Sequence, residues 1–239
     1  MDHRKIFTGH TEKRYISTIK VNSDILKNIL NTVVPPMHIT TPSLLWGESK
    51  HKISFNLMII TTDNKVLLLE RTQSFHFPKV VKDLKNCKIN FRLLDTLYHS
   101  EIEKIRKLFF DFLPPLTNFE PKFRLKNSSV RIFPGGHSMR GESIVLTLLR
   151  ELYEEIGYSF PIDELKFNQS CVFKVLIYDL IVKKTFNNFV FPVKVEVMSN
   201  CILQCFKETK HTRNPTFIDI SKCTSLFDAF VKVQEYMLI

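Results

Sequence analysis

The sequence predicts an α+β fold: a mixed β-sheet sandwiched by helices and interrupted by a helical insertion. Three patterns carry that expectation. Between residues 53 and 69, Ile53, Phe55 and Leu57 alternate with polar residues and lead into an apolar run. The polar stretch Thr62, Asp63, Asn64, Lys65 then breaks the run before Val66 resumes it, which is a hairpin signal. Between residues 79 and 113 apolar side chains instead recur at three- and four-residue steps, the period of a helix. Residues 142–156 show that period again, directly after the turn Pro134, Gly135, Gly136.

Taken in order, residues 1–40 are mixed in character and read as an N-terminal extension, with a short helix near residues 23–30 that ends before Pro35 and Pro36. The remainder, residues 41–239, reads as one domain. After the hairpin, Leu84, Phe91, Leu93, Leu94, Leu97, Ile102, Ile105, Leu108 and Phe109 have no Gly or Pro among them, so two or three short helices are expected. Pro114, Pro115 and Pro121 close this segment, which places the insertion at about residues 78–125. Residues 130–133 return to β character. The helix at 142–156 should bury Ile144, Val145, Leu148, Leu149 and Leu152. Residues 167–177 and 186–197, rich in Phe and Val and separated by the basic turn Lys183, Lys184, read as strands, and residues 216–220 as a shorter one. A closing helix over 225–238 carries Leu226, Phe230, Val233 and Met237 on one stripe, with Thr224 or Ser225 as its cap.

Bulk composition narrows the function classes. With 239 residues, 44% hydrophobic and 24% charged, the chain is ordinary globular material. No apolar run reaches the ~18 residues of a membrane span, and the first residues lack the apolar stretch of a secretory signal, so a cytoplasmic monomer is expected. Five scattered cysteines fit reduced thiols. Cys201, Cys205 and His211 lack a fourth ligand at zinc spacing. The net charge of +10 favours a polyanionic partner, and the basic residues come in short groups such as Lys79, Lys82, Lys85, Lys88 and Lys207, Lys210, Arg213.

The chemistry is concentrated in one stretch. Glu151, Glu154 and Glu155 fall within one helical turn, where like charges three and four residues apart repel one another by a few tenths of a kcal/mol. Such a cluster makes sense around a hard divalent cation, Mg²⁺ or Mn²⁺, which takes carboxylate and carbonyl oxygens. Gly135 and Gly136 allow a backbone carbonyl to face the same cation. Arg150, eight residues after Glu142 and four before Glu154, suits a salt bridge that fixes the loop and orients the glutamates.

This arrangement resembles the Nudix box, G-x5-E-x7-R-E-U-x-E-E-x-G-U. Gly136, Glu142, Arg150, Glu151, Leu152, Glu154, Glu155 and Gly157 fall at its positions, while Tyr158 stands where an aliphatic residue is usual. The resemblance implies hydrolysis of a nucleoside diphosphate linked to another group. Glu151, Glu154, Glu155 and the Gly136 carbonyl would then hold the metal. From about residue 45 to 219 the chain further resembles the poxvirus mRNA-decapping Nudix enzymes. That likeness implies a capped-RNA substrate, cut to 7-methyl-GDP and 5′-monophosphate RNA, with viral acceleration of message turnover. It implies aromatic stacking of the cationic base by Phe75 and, opposite, Phe189 or less favourably Phe191, with Trp46 a weaker candidate. Asp179 would read the guanine edge, and Glu208 would assist catalysis, since the family's further glutamate falls on His211 here. Two other readings are a Nudix pyrophosphatase for a small nucleotide and a catalytically inactive RNA-binding protein.

Overall fold

The computed structural model describes residues 4–9, 12–33, 53–109, 130–157, 165–180 and 183–237. Trp46, Tyr158, and the insertion beyond residue 109 with its closing prolines lie outside them. Among the described residues the chain forms β1 (Arg4–Thr8), β2 (Glu12–Lys20), α1 (Ser23–Asn31), β3 (Ile53–Ile60), β4 (Lys65–Arg71), α2 (Phe77–Lys85), α3 (Phe91–Leu94) and α4 (His99–Phe109). There follow β5 (Arg131–Ile132), β6 (Gly135–Gly136), α5 (Ile144–Ile156), β7 (Lys166–Phe167), β8 (Cys171–Asp179), β9 (Lys184–Lys194), α6 (Ser199–Cys205), β10 (Thr212–Asp219) and α7 (Leu226–Met237).

The strands join in one mixed sheet of order β1-β2-β8-β9-β3-β4-β10, antiparallel except where β3 runs parallel to β9. The expected hairpin β3–β4 is closed only at Ile60 and Val66. Beyond that pair its strands part, and the segment 131–136 enters the fork. Within it β5 pairs with β4 at Leu69 and Ile132, and β6 pairs with β3 at Phe55 and Gly136. The glycine turn is thereby held between two central strands.

Alternation along the strands divides the apolar residues between two faces. Phe55, Leu57, Ile59, Leu67, Leu69, Phe191 and Val193 pack beneath α5 and α1. Met58, Ile60, Val66, Leu68, Phe173, Val175 and Val190 pack beneath α7. The α+β class and the sandwich of sheet between helices follow. The insertion builds a third cluster of its own from Val80, Leu84, Leu93, Leu94, Leu97, Ile102 and Ile105. Among the described residues no helix is long and apolar enough to cross a membrane.

Two boundaries differ from expectation. Residues 4–31 are not appended to the domain: β2 pairs with β8 over nine positions, from Glu12 opposite Asp179 to Lys20 opposite Cys171, and α1 buries Leu26 and Ile29 against α5. The helix at 142–156 starts two residues late, because Ser143 caps it with its hydroxyl and Glu142 stays in the preceding turn. On α5, Thr147 and Glu155 are buried along with Ile144, Leu148, Leu152 and Ile156, whereas Val145 and Leu149 are only partly covered.

Candidate active site

The site is built from the fork in the sheet upward. Gly135 adopts φ +148° and sits so close to β3 that a Cβ there would lie 2.2 Å from the Phe55 carbonyl oxygen. A Cβ on Gly136 would lie 2.4 Å from Oε1 of Glu151. Only glycine fits at Gly135, where the obstacle is backbone, whereas the bare Cα of Gly136 leaves room for the movable Glu151 carboxylate to rest on the backbone.

Arg150 is the hub of the ion pairs around this turn. Its Nε donates to Glu142 Oε1 at 2.8 Å and one Nη to Glu142 Oε2 at 3.1 Å, a two-pronged pair. The same Nη donates to the His137 carbonyl at 2.9 Å, and the other Nη reaches Glu151 at 2.8 Å and Glu154 at 3.5 Å. Glu142 also accepts from the Met139 N–H at 2.9 Å. These bonds tie loop 137–142 to the helix, as the spacing suggested. The Arg150 guanidinium is the main reason that the Glu142 carboxyl falls to about 2.

Glu155 differs from its neighbours. It is 4% exposed and accepts the Gly135 N–H at 2.8 Å. Burial pushes its carboxyl up to about 8; the Gly135 bond and Arg71 oppose that rise, and the charges of Glu151 and Glu154 add to it. At the far end of α5, Gly157 closes the helix in the left-handed conformation, φ +68°, with its N–H on the Tyr153 carbonyl at 3.0 Å. The Thr212 hydroxyl of β10 caps the Glu155 carbonyl.

The donor set suits a hard divalent cation: three carboxylates on one helix edge, one buried without a cation of its own, beside the close backbone of Gly135 and Gly136. Among the described residues, however, no three acidic, histidine or cysteine side chains already close on one point. Arg150 holds one oxygen of Glu151 and leans on Glu154, so the carboxylates form a rim rather than a finished cage.

The other expected residues separate clearly. Phe75 lies 60% exposed just past β4, with the Arg71 guanidinium 4.1 Å from its ring centre. Asp179, at the end of β8, sits 3.7 Å from Nε2 of His76, the residue after Phe75, so the strand end and the aromatic are brought together. Phe189 is a correction: it is 0% exposed and stacks on Phe55 at 6.1 Å within the core under α5. Phe191, on the same side of β9, is buried with it, because residues two apart on a strand share a face. Phe186 is the one phenylalanine of β9 left partly exposed. Glu208 and His211 lie exposed between α6 and β10; among the described residues neither side chain bonds to Glu151, Glu154 or Glu155. Cys201 and Cys205 are exposed free thiols on α6.

Two residues that matter are not evident from the sequence pattern. Arg71 ends β4 directly after Glu70, beyond the apolar run 66–69, and nothing in that pattern separates it from an ordinary charged strand end. Glu101 of α4 is 2% exposed and accepts the N–H groups of Ser74 and Tyr98, each at 2.9 Å, fixing the residue before Phe75. Nothing local in the sequence marks that contact.

No family model matches the chain. It is 40% identical over 232 residues, 95% of its length and 89% of the relative's, to a protein of Invertebrate iridescent virus 3 named "Putative hydrolase 080R". It is 25% identical over 209 residues to the mRNA-decapping protein OPG122 of Variola virus, covering 84% of this chain and 79% of that protein. Among solved structures, a NUDIX hydrolase from Nitrosomonas europaea overlaps 79% of this chain and 80% of its own, at 15% identity and a TM-score of 0.38.

Proposed function

The chain belongs to the Nudix hydrolase superfamily and resembles the poxvirus decapping proteins, and from that premise we propose that it hydrolyses the cap of messenger RNA. Water adds across a phosphoanhydride of the triphosphate bridge, releasing 7-methyl-GDP and RNA with a 5′-monophosphate. The observation that carries this reading is the exposed ring of Phe75, joined through Arg71 to the side of the sheet where Glu151 and Glu155 lie. A base platform and an acidic rim on one molecule suit a substrate with an aromatic base at one end of a phosphate chain.

The division of labour comes from the residues. Phe75 offers a π-face to a cationic methylated guanine. Phe189 is too deeply buried to close over the other side, and Phe186, the partly exposed phenylalanine of β9, shares the opposite sheet face with Val190. Asp179, anchored near His76, accepts from the guanine edge. Glu151, Glu154, Glu155 and the Gly136 carbonyl would hold Mg²⁺ or Mn²⁺, which when bound supplies neutralisation of the diphosphate and a more acidic water. Arg150 keeps loop 137–142 and Glu151 in place. Gly135 N–H keeps Glu155 from swinging away. Glu208 is too exposed and unanchored for more than an auxiliary part.

The RNA body would follow the insertion. Lys79, Lys82 and Lys85 on α2, with Lys88 just after it, lie along one helix that begins two residues beyond Phe75. A small nucleotide has no use for that surface, and an inactive binding protein has none for an intact glutamate set. We read the protein as a monomer working in the cytoplasm, where capped messages are found.

Incubation of cap-labelled RNA with the protein and Mg²⁺ or Mn²⁺ is expected to release labelled 7-methyl-GDP, identified by chromatography. Glu154→Gln is expected to lower that rate by about 100-fold or more. Release of inorganic phosphate alone, preference for a dinucleoside polyphosphate over capped RNA, or full turnover by the glutamine variant would each overturn the proposal.

A further inference from the structure

We propose that Arg71 is the receptor for the substrate's phosphate chain, gripping it between the Phe75 platform and the glutamate rim of α5. The proposal rests on the reading of Phe75 as a base platform, and it adds a specific residue to the chemistry of that site.

Arg71 is the last residue of β4 and shares the sheet face of Leu67 and Leu69, the side on which α5 packs. Its backbone is fixed on both sides: it is in register with Thr212 of β10, and its N–H donates to the Val130 carbonyl at 3.0 Å. A side chain starting from a sheet held in this way has a defined origin, as a ligand-gripping group requires.

The guanidinium itself is under-used. Nε donates to the Gln73 carbonyl at 3.1 Å, and the planar group lies 4.1 Å over the Phe75 ring. Arginine carries five donors, and among the described residues no other Arg71 donor finds an acceptor and no carboxylate pairs with it within 4.0 Å. By contrast Arg14, Arg106, Arg150 and Arg213 each hold an ion pair. Arg71 is only partly exposed, and desolvation is the largest influence on it. The fields of Glu155, Tyr98, Glu101 and Glu151 offset part of that cost without any of them forming a contact pair. A cation taken out of water and left without a partner is expensive unless an anion arrives to complete it.

The geometry also selects the anion. Arg71 covers one face of Phe75, and the ring's 60% exposure leaves the other face open to a base. Glu155 and Glu151 of α5 lie near enough for their charges to act on the guanidinium. A phosphate chain running from a base on Phe75 round the ring edge towards the glutamates would come within reach of the guanidinium. A diphosphate or triphosphate attached to the base matches both the planar donor fork of arginine and the aromatic platform beside it; a neutral sugar matches neither.

Two roles for Arg71 must be told apart: propping the ring, or gripping phosphate. Binding measured by titration calorimetry in EDTA separates them without catalysis, using 7-methylguanosine, guanosine, 7-methyl-GDP and inorganic pyrophosphate as probes. Wild type is expected to bind 7-methyl-GDP about tenfold or more tighter than 7-methylguanosine. Arg71→Ala is expected to erase that advantage and the pyrophosphate binding while leaving the nucleoside within about twofold. Arg71→Lys, which keeps the charge and is gentler on folding, is expected to retain part of the advantage, and thermal melts check that both variants are folded. Equal weakening of nucleoside and diphosphate in both variants would reduce Arg71 to a prop, and an undiminished diphosphate advantage would exclude it from phosphate; either overturns the proposal. Pyrophosphate binding that depends on Arg71, with 7-methylguanosine no better than guanosine, would uphold Arg71 and remove the cap reading. A clear 7-methyl preference with no dependence of the phosphates on Arg71 would do the opposite.

Discussion

Glu155 shows how a residue can work against the fold that carries it. It is 4% exposed, its carboxyl is pushed up to about 8, and Glu151 and Glu154 lie beside it. A folded-state pKa above the unfolded value means that the folded chain binds the proton more tightly. The penalty is absent below about pH 4.5, grows as pH rises, and is complete only above about pH 8. Glu155→Gln keeps an oxygen for the Gly135 N–H and removes the charge. At pH 8 this variant is expected to be more stable than wild type by about 2 kcal/mol, with hydrolysis lost. Melting curves at pH 5.5 and pH 8 check it: the gap must widen with pH, and a constant or shrinking gap contradicts the account. The glutamate spacing was legible because helical geometry follows from residue number alone. The burial of Phe189 was not, because Phe186, Phe189 and Phe191 are chemically identical and only strand register decides that the latter two point into the core under α5.

Elements here are held by contacts that local patterns do not announce. The periodicity of residues 79–113 announces helices, but not that α4 uses a buried carboxylate to hold the loop bearing Phe75. Glu101 accepts from Ser74 N–H and Tyr98 N–H, both at 2.9 Å. Removing its oxygens leaves two N–H groups unpaired in a buried place, at a cost of about 2–4 kcal/mol. Glu101→Ala is therefore expected to loosen the 72–76 loop, to raise KM for capped RNA several-fold with a smaller change in kcat, and to speed amide exchange at Ser74. Unchanged exchange at Ser74 would show that the clamp is not what holds the loop. A similar logic explains why α6 has no counterpart in the sequence pattern: its first N–H is capped from a distance by Asp63 of the hairpin turn, whose carboxylate accepts from Ser199 N–H at 2.9 Å and from the Ser199 hydroxyl at 2.7 Å. That bond, together with Lys65 as its main partner, holds the Asp63 carboxyl well below the usual range. A cap supplied 136 residues away cannot be read from the helix's own sequence.

At the scale of the molecule, the largest departure from expectation is the role of the first strands. Residues 12–20 look polar because Glu12 and Arg14 interrupt them, yet Arg14 is 6% exposed. Its charge is met by Glu12, and one Nη donates at 2.7 Å to Gln234 of α7, across nearly the whole chain. A buried arginine reads as surface until its partners are known, and these come from opposite ends of the sequence. β2 in turn covers the edge of β8, placing Glu12 opposite Asp179 and Ile16 opposite Val175. Deleting residues 1–21 would open nine paired positions of a central strand, uncover Phe173 and Val175, and leave Gln234 buried without its partner. The expected loss is on the order of a domain's whole stability, ~5–15 kcal/mol, with aggregation through the bared strand edge. An Arg14→Met chain, which keeps the strand and loses only the polar contacts, is expected to remain folded and lose a smaller part. Sedimentation and thermal melts of the two chains decide between strand pairing and the Arg14 network as the source of that stability. A truncated chain that stays monomeric and melts with wild type would make β1 and β2 additions to the domain after all; a truncated chain no worse than Arg14→Met would transfer the effect from the sheet to a single side chain.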